Sequence, residues 1–408
     1  MRVCLVKYGF YENAASLMQF ASALVERGDD VEVLALRRKE QASFEVVNGV
    51  RLFRIQRRVV NERNRLTYLF RVVTFFCRSA LRLSKAQLNR PYDVIHVQSV
   101  PDFLVFAALF AKFRRTRIIL DVHEIAPEFY AAKFRVERRH PVFRLLLWLE
   151  KLTATFADHV VIPNPLWHRR LLRRSARAEK CSLIRYLPDP KVFYPRPRRR
   201  DDQRFLMVYA GTLNAHQGLD IAIRAFARMS QRLPLCEFHI YGEGPTRPTL
   251  QAIVTGLDLQ KRVVFHDMVE KVRIPELLSE YDLAVVPKLS SNTFGNEAES
   301  TKIVELMALG VPVVVAKTRI DRFYYSEKTV KFFEPQNVED LADNLLALAN
   351  DQKLRAELAI NGRQYFRNNN WDTVKPRYFS MLDRLCRRDS PAKIPKGRGS
   401  AFARSWRA

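Results

Sequence analysis

The chain has 408 residues, 48% of them hydrophobic and 27% charged, and 69 Lys and Arg against 43 Asp and Glu give a formal net charge of +26. That length suits two α/β domains better than one core, and the composition excludes collagen-like and low-complexity classes for the body of the chain. The five cysteines (Cys4, Cys77, Cys181, Cys236, Cys386) are odd in number and lack metal-ligand spacing, which excludes a disulfide scaffold and favours a reducing, cytoplasmic setting.

At the amino terminus, Met1 to Lys7 reads as a strand, without the basic start, long apolar stretch and cleavage site of a signal peptide. Strands are predicted at Val3–Tyr8, Val31–Leu36, Val50–Ile55, Asp93–Gln98 and Arg117–His123. Helices are predicted between them at Ala14–Glu26, Leu66–Leu88 and Phe103–Phe113. The longest clean apolar run, Phe103 to Ala111, falls far short of the roughly 20 residues that span a bilayer.

Leu187-Pro-Asp-Pro190 and the charged run from Tyr194 to Asp202 follow. Prolines fix φ and remove donors, and the charges resist burial, so this stretch reads as a surface linker. Beyond it, strands are predicted at Phe205–Ala210, Glu237–Tyr241, Val263–His266, Leu283–Pro287 and Val311–Ala316. The helices there are Leu219–Met229, Thr246–Thr255, Arg273–Tyr281, Thr301–Leu309 and Val338–Asn350. Such alternation builds parallel sheets covered by helices on both faces, an α/β fold of two doubly wound halves. The domains are then residues 1–187, a linker 188–203, residues 204–385, and a basic tail 386–408 of disordered composition. Ligands of such folds bind in a cleft outside the carboxyl ends of the strands.

The most informative segment runs from Phe294 to Ala316, FGNEAESTKIVELMALGVPVVVA. Ser300 or Thr301 opens an apolar-periodic helix as its cap. The free N–H groups and positive dipole end of such a helix suit a diphosphate. Glu297 is expected in the loop before the helix and Glu305 within it, one carboxylate for sugar hydroxyls and the other for a ribose diol.

These residues resemble the retaining GT-B glycosyltransferases of family four, whose Glu-x7-Glu element precedes a helix, a Gly-x-Pro turn and a Val-rich strand. The resemblance extends over roughly residues 1–385. It implies a GT-B fold, two Rossmann-like domains facing across a cleft, and sugar transfer from a nucleoside-diphosphate sugar with retention at the anomeric carbon. Asp121-Val-His123-Glu124 resembles the loop that carries the family's active-site histidine, which makes His123 and Glu297 the implied catalytic residues. Tyr209-Ala-Gly211-Thr212 resembles the glycine turn that opens the donor domain, and Glu305 is implied at the ribose. Thr212 and Gln217 stand where many relatives carry the Arg and Lys of a phosphate clamp, so Lys302 is expected to supply that charge, with Arg247 as the second candidate. Tyr241-Gly242-Glu-Gly244-Pro245 resembles the family's strand-end turn, and Gly9 stands where the first-domain phosphate loop of many relatives has two glycines. There is no Asp-x-Asp donor loop (Asp201-Asp202 falls in the linker) and no His/Asp/Cys cluster, so neither a metal nor another cofactor is expected.

The charge calls for an anionic partner, nucleic acid or an acidic membrane. No zinc finger, RRM signature or KH element supports nucleic acid. The stretch from Arg65 to Lys85 interleaves arginines with Tyr68, Phe70, Phe75 and Phe76 at helical spacing, which suits an interfacial helix on anionic lipid. The same spacing also fits a core helix with a solvated basic face. The expectation is therefore a peripheral enzyme on the inner face of the plasma membrane, adding sugar to a glycan or polyprenyl-linked acceptor. A sugar-nucleotide epimerase or phosphorylase on the same fold is the alternative.

Overall fold

The computed structural model describes residues 1–58, 65–134, 136–291 and 293–386. The basic tail beyond Cys386 and residues 59–64, just ahead of the Arg65 stretch, lie outside these. Two sheets carry the chain. The first has eight strands: β1 (Arg2–Phe10), β2 (Asp30–Arg37), β3 (Phe44–Val47), β4 (Val50–Arg57), β5 (Val94–Gln98), β6 (Arg117–Asp121), β7 (His159–Ile162) and β8 (Cys181–Leu183), in the order β3-β4-β2-β1-β5-β6-β7-β8. The second has six: β9 (Phe205–Ala210), β10 (Cys236–Tyr241), β11 (Val263–His266), β12 (Leu283–Val286), β13 (Val313–Ala316) and β14 (Lys331–Phe333), in the order β11-β10-β9-β12-β13-β14.

Every pairing is parallel except that of the edge strand β3 with β4. A parallel sheet covered on both faces needs continuous apolar strands, and β5, β7, β12 and β13 are buried at every position. Burying each Val, Ile or Leu side chain contributes about 1.5–3 kcal/mol, so these short runs hold the two cores together. The strand order reverses beside β1 and β9. The loops that leave the carboxyl ends of those strands and of β5, β6 and β12 therefore form a crevice open to ligands.

The strands of both halves match the predicted ones, with four additions: β3, β7, β8 and β14. Each has only three or four residues, too few for a two-residue period to show. The predicted helix over Phe103–Phe113 is a 3₁₀ segment, Asp102–Ala108, followed by the short helix Leu109–Phe113. The last helix, Trp371–Cys386, packs against the first domain, although its sequence position assigned it to the second. Tyr378 lies 4.4 Å from the Phe20 ring and its hydroxyl is 2.9 Å from His96 Nδ1. Lys375 and Arg27 make ion pairs across the same boundary, with Glu26 and Asp383.

Candidate active site

A cavity of about 920 Å³ opens at the carboxyl ends of β9, β10 and β12, walled mainly by the second domain and flanked from the first by Glu124, Phe129 and Ala132. Gly211 follows β9 at φ +156, and Gly242 follows β10 at φ +138. A Cβ on Gly242 would come within 1.9 Å of the Gly211 carbonyl oxygen, so the turn after β10 can approach the turn after β9 only with glycine at 242. A Cβ on Gly211 would stand 2.6 Å from Lys302 Nζ, so its absence leaves room for that ammonium group.

Lys302 is the second residue of the helix Thr301–Leu309, whose N-cap Ser300 makes no side-chain cap bond. The first-turn N–H groups that an α-helix cannot satisfy internally are thus not capped by that side chain, and Ser300, Thr301 and Lys302 all line the cavity. Lys302 Nζ donates to Tyr209 Oη and to Gln217 Oε1, each at 3.2 Å, and lies 4.7 Å above the Tyr209 ring. Burial pulls its pKa from 10.5 down to about 8, against the opposing pull of Glu305. The charge reaches the place where the clamp positions hold Thr212 and Gln217: Gln217 accepts from Lys302, and Thr212 lines the same wall. Glu305, one turn further along the helix, also lines the cavity. Arg247 is held instead by Glu243 at 2.6 Å and Asp267 at 3.2 Å.

Glu297 sits differently from its expectation. It ends a short helix, Thr293–Glu297, and is 3% exposed. Arg170 Nη2 from the first domain donates to both of its carboxylate oxygens, at 2.7 and 2.8 Å, and Arg319 Nη1 donates a third bond at 3.1 Å. Asn164 of the first domain also donates to its carbonyl oxygen at 2.5 Å. The cavity wall at this point consists of its neighbours Gly295, Ala298 and Glu299. Sequence reading could not see Arg170, 127 residues away, which also pairs with the buried Glu128.

His123 follows β6 in the first domain, outside the cavity lining. Its ring stacks on Tyr186 with centroids 4.6 Å apart, and Nε2 is 3.4 Å from Ser16 Oγ and 3.6 Å from Asp121 Oδ2. Burial, with Lys7 nearby, lowers its pKa. Asp121 is fully buried, yet His123 and His96 outweigh that burial and hold its carboxyl well below the usual range. Gly9 lies within β1 rather than in a turn, where an added Cβ would meet only the Lys7 side chain, at 3.4 Å. No steric need for glycine exists there.

Two further residues escaped sequence reading. Lys288, at the end of β12, is buried and bonded to Asp321 at 2.7 Å and to the Ala298 carbonyl at 2.8 Å, which fixes the loop ahead of the Lys302 helix. Tyr209 anchors Lys302. Among the described residues no group of three or more His, Cys, Asp or Glu side chains could hold a metal ion.

A cavity at the strand-order reversal of one parallel sheet, with a second sheet domain across the cleft, is the two-domain α/β architecture of the GT-B type. Two family profiles match the two halves, "Glycosyl transferase 4-like domain" over residues 14–186 and "Glycosyl transferases group 1" over residues 192–365. The chain belongs to this glycosyltransferase family. It is 26% identical over 303 residues to the uncharacterized glycosyltransferase YqgM of Bacillus subtilis, covering 73% of this chain and 79% of that one. It is 28% identical over 161 residues to the alpha-D-kanosaminyltransferase of Streptomyces kanamyceticus, covering 39% of this chain and only 40% of that protein. The structure of Anabaena Alr3699/HepE in complex with UDP and glucose superposes with a TM-score of 0.71 over 94% of this chain and all of that one, at 17% identity, a likeness of fold.

The first domain also carries an apolar surface. Leu66, Leu69, Phe70 and Val73 of the helix Arg65–Asn89 are exposed, as are Phe113 and Trp148. Of the four aromatics expected to face lipid, only Tyr68 and Phe70 are exposed. Phe75 is buried against Tyr8, and Phe76 packs towards Phe103. Among the described residues no helix is long and apolar enough to cross a membrane.

Proposed function

We propose that the enzyme transfers a hexose from a nucleoside-diphosphate sugar to a glycan or lipid-linked acceptor, with retention, at a cytoplasmic anionic membrane surface. The observation that carries this reading is Lys302, a partly buried ammonium whose hydrogen-bond partners among the described residues are neutral oxygens, at the opening turn of a helix that lines the cavity. A diphosphate seated there gains the lysine charge and the first-turn N–H groups together. The UDP-bound state of the Anabaena neighbour supports a nucleotide in this kind of cleft.

As the sugar–phosphate bond breaks, negative charge grows on the departing diphosphate. Lys302 and the helix N–H groups are already oriented to receive it, so they stabilise the transition state more than the ground state. Glu305 holds the ribose and His123 serves the region of the transferred sugar. Glu297 serves by joining the domains, since Arg170 and Arg319 occupy its carboxylate. Neither a bound metal nor another cofactor is part of this scheme. The exposed apolar and basic face of the first domain rests on the membrane, and nucleic acid has no part in it.

The test is a panel of nucleoside-diphosphate sugars screened by thermal shift, followed by product analysis with and without a lipid acceptor. Stabilisation by one class of donor and acceptor-dependent release of nucleoside diphosphate are expected. Acceptor-independent conversion of the sugar nucleotide would overturn transfer in favour of epimerisation.

A further inference from the structure

Away from the donor cavity, a groove of about 520 Å³ opens on the first domain between the carboxyl ends of β2 and β4 and the helix Arg65–Asn89. Five arginines line it, Arg37, Arg54, Arg57, Arg78 and Arg82, and no carboxylate does among the described residues. Three are engaged within the protein. Arg54 pairs with Glu12 and Glu45, both at 2.7 Å. Arg82 lies 3.4 Å above the Phe53 ring and 3.9 Å from Glu32. Arg78 gives one N–H to the Ile55 carbonyl at 3.0 Å and is otherwise exposed.

Arg37 and Arg57 differ. They are direct partners in the β2–β4 register, two like charges side by side at the sheet's carboxyl edge. Neither makes an ion pair within 4.0 Å among the described residues, and Arg37 Nε is buried without a hydrogen-bond partner. Like charges so placed are destabilising unless an anion lies between them. Guanidinium forks match phosphate geometry, giving two parallel N–H···O bonds each. The edge they occupy is the carboxyl edge of the sheet, from which the His123 loop also leaves β6. A second concavity of about 620 Å³ shares Arg78 and Arg82 and continues the basic track along the same helix past Lys85 and Arg90. The amino-terminal turns of that helix expose Leu66, Leu69, Phe70 and Val73.

We propose that this groove binds the phosphate monoester or diphosphate of a membrane lipid, held by Arg37, Arg57 and Arg78, with the lipid chain lying along the exposed apolar turns. The inference rests on the membrane-surface reading above, and it names the chemistry of the lipid head group that the first domain selects. The full chain is tested for flotation with three vesicle types: phosphatidylcholine alone, and phosphatidylcholine containing either phosphatidic acid or phosphatidylglycerol at matched surface charge. Phosphatidic acid, a phosphate monoester, is expected to bind about tenfold tighter than the phosphodiester phosphatidylglycerol. The R37Q/R57Q pair should lose that preference, while an R114Q/R115Q control, on another exposed basic stretch, keeps it. Thermal unfolding of R37Q/R57Q at or above the wild-type midpoint verifies that the variant folds. Equal binding to the two anionic vesicles overturns the groove and leaves the membrane reading standing. Absence of binding to all three overturns both, as the nucleotide panel would not. Retention of the preference in R37Q/R57Q also overturns the groove.

Discussion

Replacing Lys302 by Met keeps most of the unbranched side chain and removes one positive charge from the wall of the donor cavity. In the structure that charge rests on two neutral oxygens, Tyr209 Oη and Gln217 Oε1, and Gly211 has no Cβ to crowd it. A hydrogen bond to a charged group is worth about 1.5–3 kcal/mol. The nucleoside diphosphate should therefore bind roughly 10- to 150-fold more weakly to the variant, whereas the free nucleoside, which carries no phosphate, should bind as before. Isothermal titration with the two ligands measures both numbers. The pH dependence gives a second reading. Burial lowers the lysine's pKa to about 8, so the charge is present below that value and is lost as pH rises through it. Wild-type affinity for the diphosphate should be full at pH 7 and decline above pH 8, and the Lys302→Met profile should be flat over the same range. The stability effect has the opposite sign. A lysine whose folded-state pKa is depressed destabilises the folded protein while it is charged, so the empty variant should be no less stable than wild type at pH 7. Equal diphosphate affinity in the two proteins, or equal loss for the free nucleoside, would refute the placement of the diphosphate at this helix.

Glu305→Ala should weaken nucleoside and nucleoside diphosphate by a similar factor in the same titration, because its assigned contact is the ribose; loss confined to the diphosphate would reassign it. Arg170→Ala strands the 3%-exposed carboxylate of Glu297 beside Arg319 alone. Breaking one side of such a buried pair costs about 3–5 kcal/mol, read as a lowered thermal midpoint, with Glu297→Gln expected to cost less than Arg170→Ala. An unchanged midpoint in Arg170→Ala would remove the domain-joining role. Transfer activity should survive EDTA, and loss on chelation that Mg²⁺ or Mn²⁺ restores would show a metal requirement.

The amino-acid sequence was sufficient to define the two parallel-sheet halves and the helix that begins at Thr301. Those features are written in local order, as apolar runs, prolines and helix-starting residues, and each is decided by neighbours within a few positions. Gly211 and Thr212 after one strand end, and Lys302 and Glu305 on one helix, line a single cavity. The tertiary structure decided what periodicity cannot report, namely which partner a buried group meets. Glu297 looked like a free carboxylate in a loop because Arg170, Asn164 and Arg319 are 127, 133 and 22 residues away. Phe75 and Phe70 share one amphipathic helix, yet only packing against Tyr8 settles that the first is core and the second surface. The last helix crosses to the first domain because Phe20 and His96 offer Tyr378 a buried seat there. Sequence pattern specifies that a side chain will be buried, whereas the identity of its neighbour depends on chain closure over hundreds of residues, which no local window contains.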